Sequence, residues 1–345
     1  MMNWGCSSYQ WDSADGSLHF QGRTFDTMPM NSLVLQYMPR GYEYARLLAD
    51  PSAGTNKLKY GFVGIGPAVT EIPLFADGVN EKGLMGCMLL FPGYASYTPM
   101  DKAGPDGLDP ALFLGTALGM CASTPEVIDF AKRTELVNEL VMGSVATVHF
   151  IFSDTTGKTV IIEPTAQTLK IYEENVGVMT NAPDYPWMMT NLKNYVGIRQ
   201  ISAMPAEIDG LKFSRFGDGD GFLGLPSDYS PSARFVRLAM TRNWLLKGRN
   251  EPDCVNRMFN GFSTVTIPEG VVKTDAGSFN VSGGTETAHY DVSLYTAVMC
   301  AESRTYYYHT YNTRNVTAIR LDPLLGTAEY KKWPVEQTPK YDFMN

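Results

Sequence analysis

The sequence is poor in cysteine and in charge, and it has no long apolar run. Its five cysteines, at positions 6, 87, 121, 254 and 300, make an odd count with no CxxC pair. That excludes a disulfide framework and a thiolate zinc site, and reads most of them as reduced, buried small hydrophobes. No basic run occurs, and 28 Lys and Arg stand against 36 Asp and Glu for a net charge of −8. Non-specific nucleic-acid binding, which needs cations to neutralise phosphates, is therefore excluded. The longest nearly apolar stretch, Gly83 to Phe91, falls far short of the ~20 residues that cross a bilayer, so no membrane partner is expected. The opening MMNWGCSSYQ has neither a basic start nor an apolar core, so no secretory signal is read and the expected compartment is the cytoplasm.

What is present is ordinary globular composition, 44% apolar and 12% aromatic over 345 residues. A chain of this size buries roughly 75% of its unfolded surface without staples, as one large domain or two smaller ones. Many short apolar runs broken by Gly, Pro, Asn and Asp predict strands with a few helices between them. Hairpins are predicted around Asp15-Gly16, through Val79 to Gly83, and through Thr155 to Lys158. Helices are expected after Ser123-Thr124-Pro125-Glu126, after Ser230-Pro231-Ser232, and over Asp253 to Phe262. Strands return near Leu294 to Ala301, Thr305 to Tyr311 and Val316 to Leu321. This order suggests α+β layers rather than a βαβ repeat. Between Tyr185 and Tyr229, Gly and Pro with weak periodicity predict a loop-rich excursion from the core.

The first hairpin singles out Cys6. Centred between Ala14 and Asp15, it pairs residues whose numbers sum to 29, which sets Cys6 opposite Arg23. Opposed side chains share a face ~5 Å apart, and a guanidinium there would lower the thiol pKa. A buried structural cysteine beside a surface arginine fits the same pairing. A Cys-His nucleophile needs an imidazole within hydrogen-bond reach, yet His19 would pair with Gln10, ~13 Å along the strand from Cys6. His149, His289 and His309 remain as distant partners, each in a run that suits a structural histidine. Another base is the α-amine that Cys6 would expose if Met1 to Gly5 were removed, since such amines titrate near ~7.7 to 8.0. Gly5 has no side chain to block approach of the thiolate to the Gly5-Cys6 carbonyl, so self-cleavage is chemically plausible.

Five ordered blocks carry a family likeness: CSSYQ followed by GRTFD, DGVNEKGLMG, VGVMTNAP, LGLPSDYSPSARFVR and MCAESRTYYYHTY. They resemble the choloylglycine hydrolases, which include penicillin V acylases and conjugated bile salt hydrolases, over nearly the whole chain. The resemblance implies an N-terminal nucleophile hydrolase with a four-layer αββα sandwich. It implies a short propeptide, residues 1–5, removed autocatalytically, and a single hydrolase domain over 6–345. It assigns Cys6 as nucleophile and, once freed, as the bearer of the proton-shuttling amine. Arg23 and Arg234 would flank the thiolate and Asp26 would bind the amine. Asn181 would donate its side-chain amide to the oxyanion together with a backbone N–H near Leu90. Neither metal nor cofactor is implied, and the extension at about 190–220 resembles an assembly segment, implying a homotetramer.

By the residues alone, Asn181 beside Pro183 reads as a turn residue, Arg234 as a solvated arginine at a helix start, and Asp26 as a loop carboxylate. Strict alternation sets Asp26 on the face opposite Arg23, and a bend at Gly22 is expected to correct this. Leu90, a substrate-binding position, departs from the family pattern, which has Asn in bile salt hydrolases and Tyr in the most similar penicillin V acylases. Leucine offers no side-chain hydrogen bond, so the departure bears on substrate choice. Gly61 to Gly66 lacks dinucleotide-site order and Gly217 to Gly221 lacks EF-hand spacing, so both read as loops. Tyr306 to Tyr308 would alternate across a strand as core and interface. The expectation is an amidase that cleaves the side-chain amide of penicillin V through a thioester. Bile salt conjugates come second and N-acyl homoserine lactones third. The rivals are an unprocessed, non-enzymatic relative and a Cys-His hydrolase.

Overall fold

Turn chemistry sets the first strands. The computed structural model describes residues 5–28, 30, 32–104, 106–138, 145–273, 290–339, 341, 343 and 344. The chain turns at Asp15 and Gly16, with Gly16 at φ 71°, between β1 (Cys6–Asp12) and β2 (His19–Thr27). The pairing runs from Cys6 opposite Phe25, through Ser8 opposite Arg23, to Asp12 opposite His19. The expected Cys6–Arg23 and Gln10–His19 pairings are thus each displaced by two residues, because the turn centres one residue later. A displacement of two keeps every side chain on its own face, so Arg23 still projects on the side of Cys6.

β1 and β2 lie inside a seven-stranded sheet with Val178–Met179 on one side and Tyr290–Cys300, Thr305–Thr310 and Thr317–Arg320 on the other. A second sheet of eight strands centres on Val148–Ser153, Met85–Leu90, Asp77–Asn80 and Phe62–Pro67. Pairing within both is antiparallel. The two predicted hairpins at 79–83 and 155–158 each join neighbours in this second sheet.

Helices cover both outer faces. α1 (Pro110–Met120) and α2 (Thr124–Arg133) lie on the second sheet. α4 (Pro231–Trp244) and α5 (Glu251–Phe262) lie on the first, with α3 (Tyr185–Leu192) packed against α4. The result is a four-layer αββα sandwich with apolar residues between the sheets and under each helix layer. Because the sheets are covered on both faces, β1 and β2 are buried at almost every position, and no inside-outside alternation marks them.

The helices after Ser123 and Ser230 and the one near Asp253 are present, starting at Thr124, Pro231 and Glu251. α1 has no counterpart in the sequence pattern, and α3 opens the segment expected to be loops. The rest of that excursion is exposed and carries a small hairpin, Ala206–Ile208 with Leu211–Phe213. Gly61 to Gly66, expected as a loop, instead feeds the strand Phe62–Pro67. All five cysteines are free and buried. Among the described residues no helix is long and apolar enough to cross a membrane, and no cluster of metal-binding side chains occurs.

Candidate active site

The site gathers where β1 begins. Cys6 is 1% exposed, and its sulfur accepts a hydrogen bond from Arg23 Nη2 at 2.7 Å. Arg23 reaches across the space between the sheets, where Nη1 donates to the carbonyls of Ala76 (2.8 Å) and Met88 (2.9 Å). Its guanidinium also lies 4.8 Å from the centre of the Phe25 ring and its Nε lies 3.7 Å from Asp77 Oδ2. Asp77 in turn accepts from the hydroxyls of Tyr295 and Tyr306, both at 2.5 Å.

Arg234 approaches from the opposite face of β1. It sits on the first turn of α4, whose start is fixed by Pro231 and by Ser230 accepting from the Ala233 N–H. Its Nη1 donates to Cys6 O (2.5 Å) and Ser7 Oγ (2.6 Å), and Nη2 donates to Asn181 Oδ1 (2.8 Å). This arginine is 1% exposed, so its apparent place as a solvated helix-start residue is wrong. Asn181 Oδ1 also accepts the Cys6 N–H at 2.8 Å, while Nδ2 donates to Leu90 O at 2.9 Å. An amide nitrogen carries two hydrogens, and no described residue receives the second.

Asp26 stays on the face opposite Arg23, and the expected bend does not occur. None is needed, because Asp26 faces the backbone at the start of β1 rather than the thiol. Its N–H donates to Gly5 O at 2.8 Å, and a Cβ on Gly5 would lie 3.4 Å from Asp26 Oδ2. The carboxylate accepts from Ser293 (2.6 Å) and Thr24 (3.1 Å) and lies 3.9 Å from Arg234. Gly22 makes room for α5 instead of bending the strand, since a Cβ there would lie 2.7 Å from the Phe262 ring.

Leu90 is buried in the apolar layer beneath α1 and α2, so its backbone is what it turns to the site. Alternate residues of a strand direct their N–H and C=O groups to the same side. Leu90 N–H therefore points where Met88 N–H donates to Ala76 O and where Met88 O receives Arg23.

Burial pushes the Cys6 thiol up from its ordinary value, and Arg23 only partly counters it. The lowering expected from arginine alone is thus reversed while Gly5 remains attached. Burial likewise pushes the Asp26 carboxyl up, against Arg234 and the two hydroxyl donors. The histidines lie elsewhere. His19 pairs with Glu302 at the far end of β1, and His149 bonds Glu163 and Thr180. His309 is packed on Phe259 and pulled down to about 4 by burial. His289 lies outside the described residues. The arrangement can hold a thiolate beside a guanidinium and present two N–H groups to a developing oxyanion, which is the chemistry of acyl transfer.

The model of the linear amide C–N hydrolases, choloylglycine hydrolase family, matches residues 6–325. The chain belongs to this family. Within the choloylglycine hydrolases it is 30% identical to a bile salt hydrolase/transferase of Clostridium perfringens, over 99% of this chain and all of that one. A crystal structure of a variant of conjugated bile acid hydrolase from Clostridium perfringens superposes with a TM-score of 0.87 at 28% identity, covering 99% of this chain and 100% of the other. Penicillin V acylase from Agrobacterium tumefaciens shares the fold, with a TM-score of 0.74 at 21% identity over 95% of this chain and 90% of that one. The chain is accordingly a hydrolase of linear amides with an N-terminal nucleophile fold.

Sequence reasoning missed Asp77 and Tyr295 as neighbours of Arg23, and it read Tyr306 as core and interface rather than as a partner of Asp77. Asp77 begins the DGVNEKGLMG block, a signal that an acidic residue opening a buried strand needs a cationic partner.

Proposed function

We propose that this enzyme hydrolyses the amide bond of conjugated bile salts, with Cys6 as nucleophile and penicillin V as a secondary substrate. This reverses the order expected from the sequence. It is supported by the whole-length likeness to the bile salt hydrolase/transferase, whereas the likeness to the penicillin V acylase is one of fold. The single observation that carries the catalytic reading is the meeting of Arg23 with the Cys6 sulfur at 2.7 Å, beside Asn181 bonded to the Cys6 N–H.

Met1 to Gly5 are first removed. The Cys6 sulfur adds to the Gly5 carbonyl, the C–N bond breaks as a thioester forms and frees the Cys6 α-amine, and water hydrolyses that thioester to release the leader as a carboxylic acid and restore the thiol. The family match, which begins at Cys6, agrees with this boundary. In turnover the α-amine takes the proton of the Cys6 thiol, and the thiolate so formed attacks the substrate carbonyl. The Asn181 amide and the Leu90 N–H receive the oxyanion, a donor pair of which each member contributes about 3 kcal/mol to the transition state. The α-amine, held by Asp26 and Asn181, passes the proton to the departing amine. Water then releases the bile acid from the thioester. Leu90 meets the substrate through its backbone N–H alone, because its side chain is buried beneath α1 and α2.

Intact mass before and after iodoacetamide, followed by parallel assays on glycocholate and penicillin V, tests this reading. The expected outcome is loss of Met1 to Gly5, one rapidly alkylated thiol at Cys6, faster turnover of glycocholate, and no turnover by Cys6→Ala. Turnover surviving in Cys6→Ala would falsify the nucleophile. Retention of Asn3 to Gly5 in active enzyme overturns the role of the amine, and faster turnover of penicillin V overturns the substrate order.

A further inference from the structure

His149 has no part in the chemistry above, yet its ring is engaged on three sides at the oxyanion end of the site. It lies opposite Leu89 on the Val148–Ser153 strand and is 1% exposed. Nε2 stands 2.7 Å from the carbonyl of Thr180, the residue joined to Asn181. Nδ1 stands 3.2 Å from Glu163 Oε1. The ring stacks on Phe91 with centroids 4.4 Å apart and planes 11° from parallel. Phe91 follows Leu90, whose carbonyl receives the Asn181 amide. One imidazole therefore touches both chain segments that carry the proposed oxyanion donors.

The ring is itself anchored. Glu163 is buried and accepts the Tyr185 N–H on both oxygens, at 3.1 and 3.0 Å, which ties His149 to the start of α3. Thr180 Oγ1 donates to Pro231 O, tying the same segment to the helix that carries Arg234. A carbonyl only accepts, so Nε2 must carry the hydrogen directed at Thr180.

We propose that His149 is a positioning residue for the oxyanion site. By donating from Nε2 to Thr180 O while stacked on Phe91, it fixes the separation between the Asn181 amide and the Leu90 N–H. The inference rests on the roles proposed above for Asn181 and Leu90 and is independent of which amide is the substrate. Oxyanion charge develops only in the transition state, so a misplaced donor lowers kcat and spares KM.

Three variants of the full chain test it: His149→Gln, His149→Asn and His149→Phe. The Gln side-chain nitrogen overlies Nε2, whereas that of Asn overlies Nδ1 and falls short of Thr180. Steady-state kinetics are measured on whichever of glycocholate and penicillin V is turned over faster, together with the rate of Cys6 alkylation by iodoacetamide. His149→Asn and His149→Phe are expected to lose about 100-fold in kcat, with KM and alkylation within about twofold of the parent, and His149→Gln to keep most of the activity. Equal losses in Gln and Asn, a loss confined to KM, or a parallel loss of alkylation overturns the proposal. If the Phe variant does not fold, the comparison of Gln with Asn decides. Asn181→Ala in the same assay separates the two levels, because unchanged kcat there sinks the oxyanion assignment itself.

Discussion

At Cys6 two opposing effects act on one sulfur: burial favours the neutral thiol, and Arg23 at 2.7 Å favours the thiolate. A hairpin drawn from the sequence displays only the second, because it pairs side chains but does not tell how deeply the second sheet and the helices cover them. The same blindness hides Arg234, Asp26 and Asn181, whose partners come from elements far apart in the chain. Only the family likeness brought those three forward, and the geometry now gathers them around one peptide. A nearby carboxylate shows what such burial costs. Asp291 lies beside this cluster, its Oδ1 without a hydrogen-bond partner among the described residues, and burial, reinforced by Asp26 and eased by Arg234, pushes its carboxyl from 3.8 up to about 6. Between those two values the folded chain keeps a proton that the unfolded chain has lost, so stability falls as pH rises through this window and stays lower above it. Asp291→Asn removes the ionisation. Its melting temperature is expected to match the parent near about pH 4 and to exceed it at about pH 8, a gain on the order of 1 kcal/mol. A difference that does not change with pH would refute this account.

Among the elements, those with a local signal were legible and those formed by burial were not. The two hairpins of the second sheet announced themselves through turn residues, α2 and α4 through proline near their first turns and the apolar runs that follow, and α5 as a short run from Asp253 to Phe262. α1 reads PALFLGTALGM, apolar on all sides, so it has no stripe to betray a helical period. Its one readable mark was Asp109 before Pro110, which does cap the helix by accepting the Ala111 N–H at 2.7 Å. α3 was concealed by the loop-rich composition that follows it, although Asp184 before Tyr185-Pro186 is a similar cap. Gly22 illustrates a signal read in the wrong sense. It is where a central strand admits two neighbours at close range, for a Cβ would lie 2.6 Å from Ala297 O and 2.7 Å from the Phe262 ring. Gly22→Ala must push the Tyr290–Cys300 strand or α5 outward and is expected to cost about 1 to 3 kcal/mol. Urea denaturation with an unchanged m-value measures it. A variant as stable as the parent would mean that Phe262 repacks freely and that the close approach is not a constraint.

At the scale of the whole molecule, the sandwich leaves one part unaccounted for. The hairpin Ala206–Ile208 with Leu211–Phe213 is exposed at every position, and Val196, Met204 and Leu223 beside it in sequence are 81%, 81% and 88% exposed. A two-stranded hairpin is marginal in water unless something packs on it. A run of apolar side chains of this extent marks a contact surface. The family resemblance implies an assembly segment over about 190–220, and we propose that this hairpin is covered by other copies of the same chain in a homotetramer. Closed symmetry would let each copy supply both a hairpin and the surface that receives it. The proposal separates assembly from chemistry, since Cys6, Arg23 and Asn181 are buried by the two sheets and α4 of their own chain. Light scattering of the parent is expected to give a tetramer, and the double variant Ile208→Ser, Leu211→Ser to move it toward monomer while Cys6 alkylation proceeds at an unchanged rate. A parent that is monomeric at micromolar concentration overturns the assembly. A variant that stays tetrameric places the contact elsewhere on the molecule. Loss of Cys6 reactivity on dissociation would show instead that the neighbouring copy shapes the site.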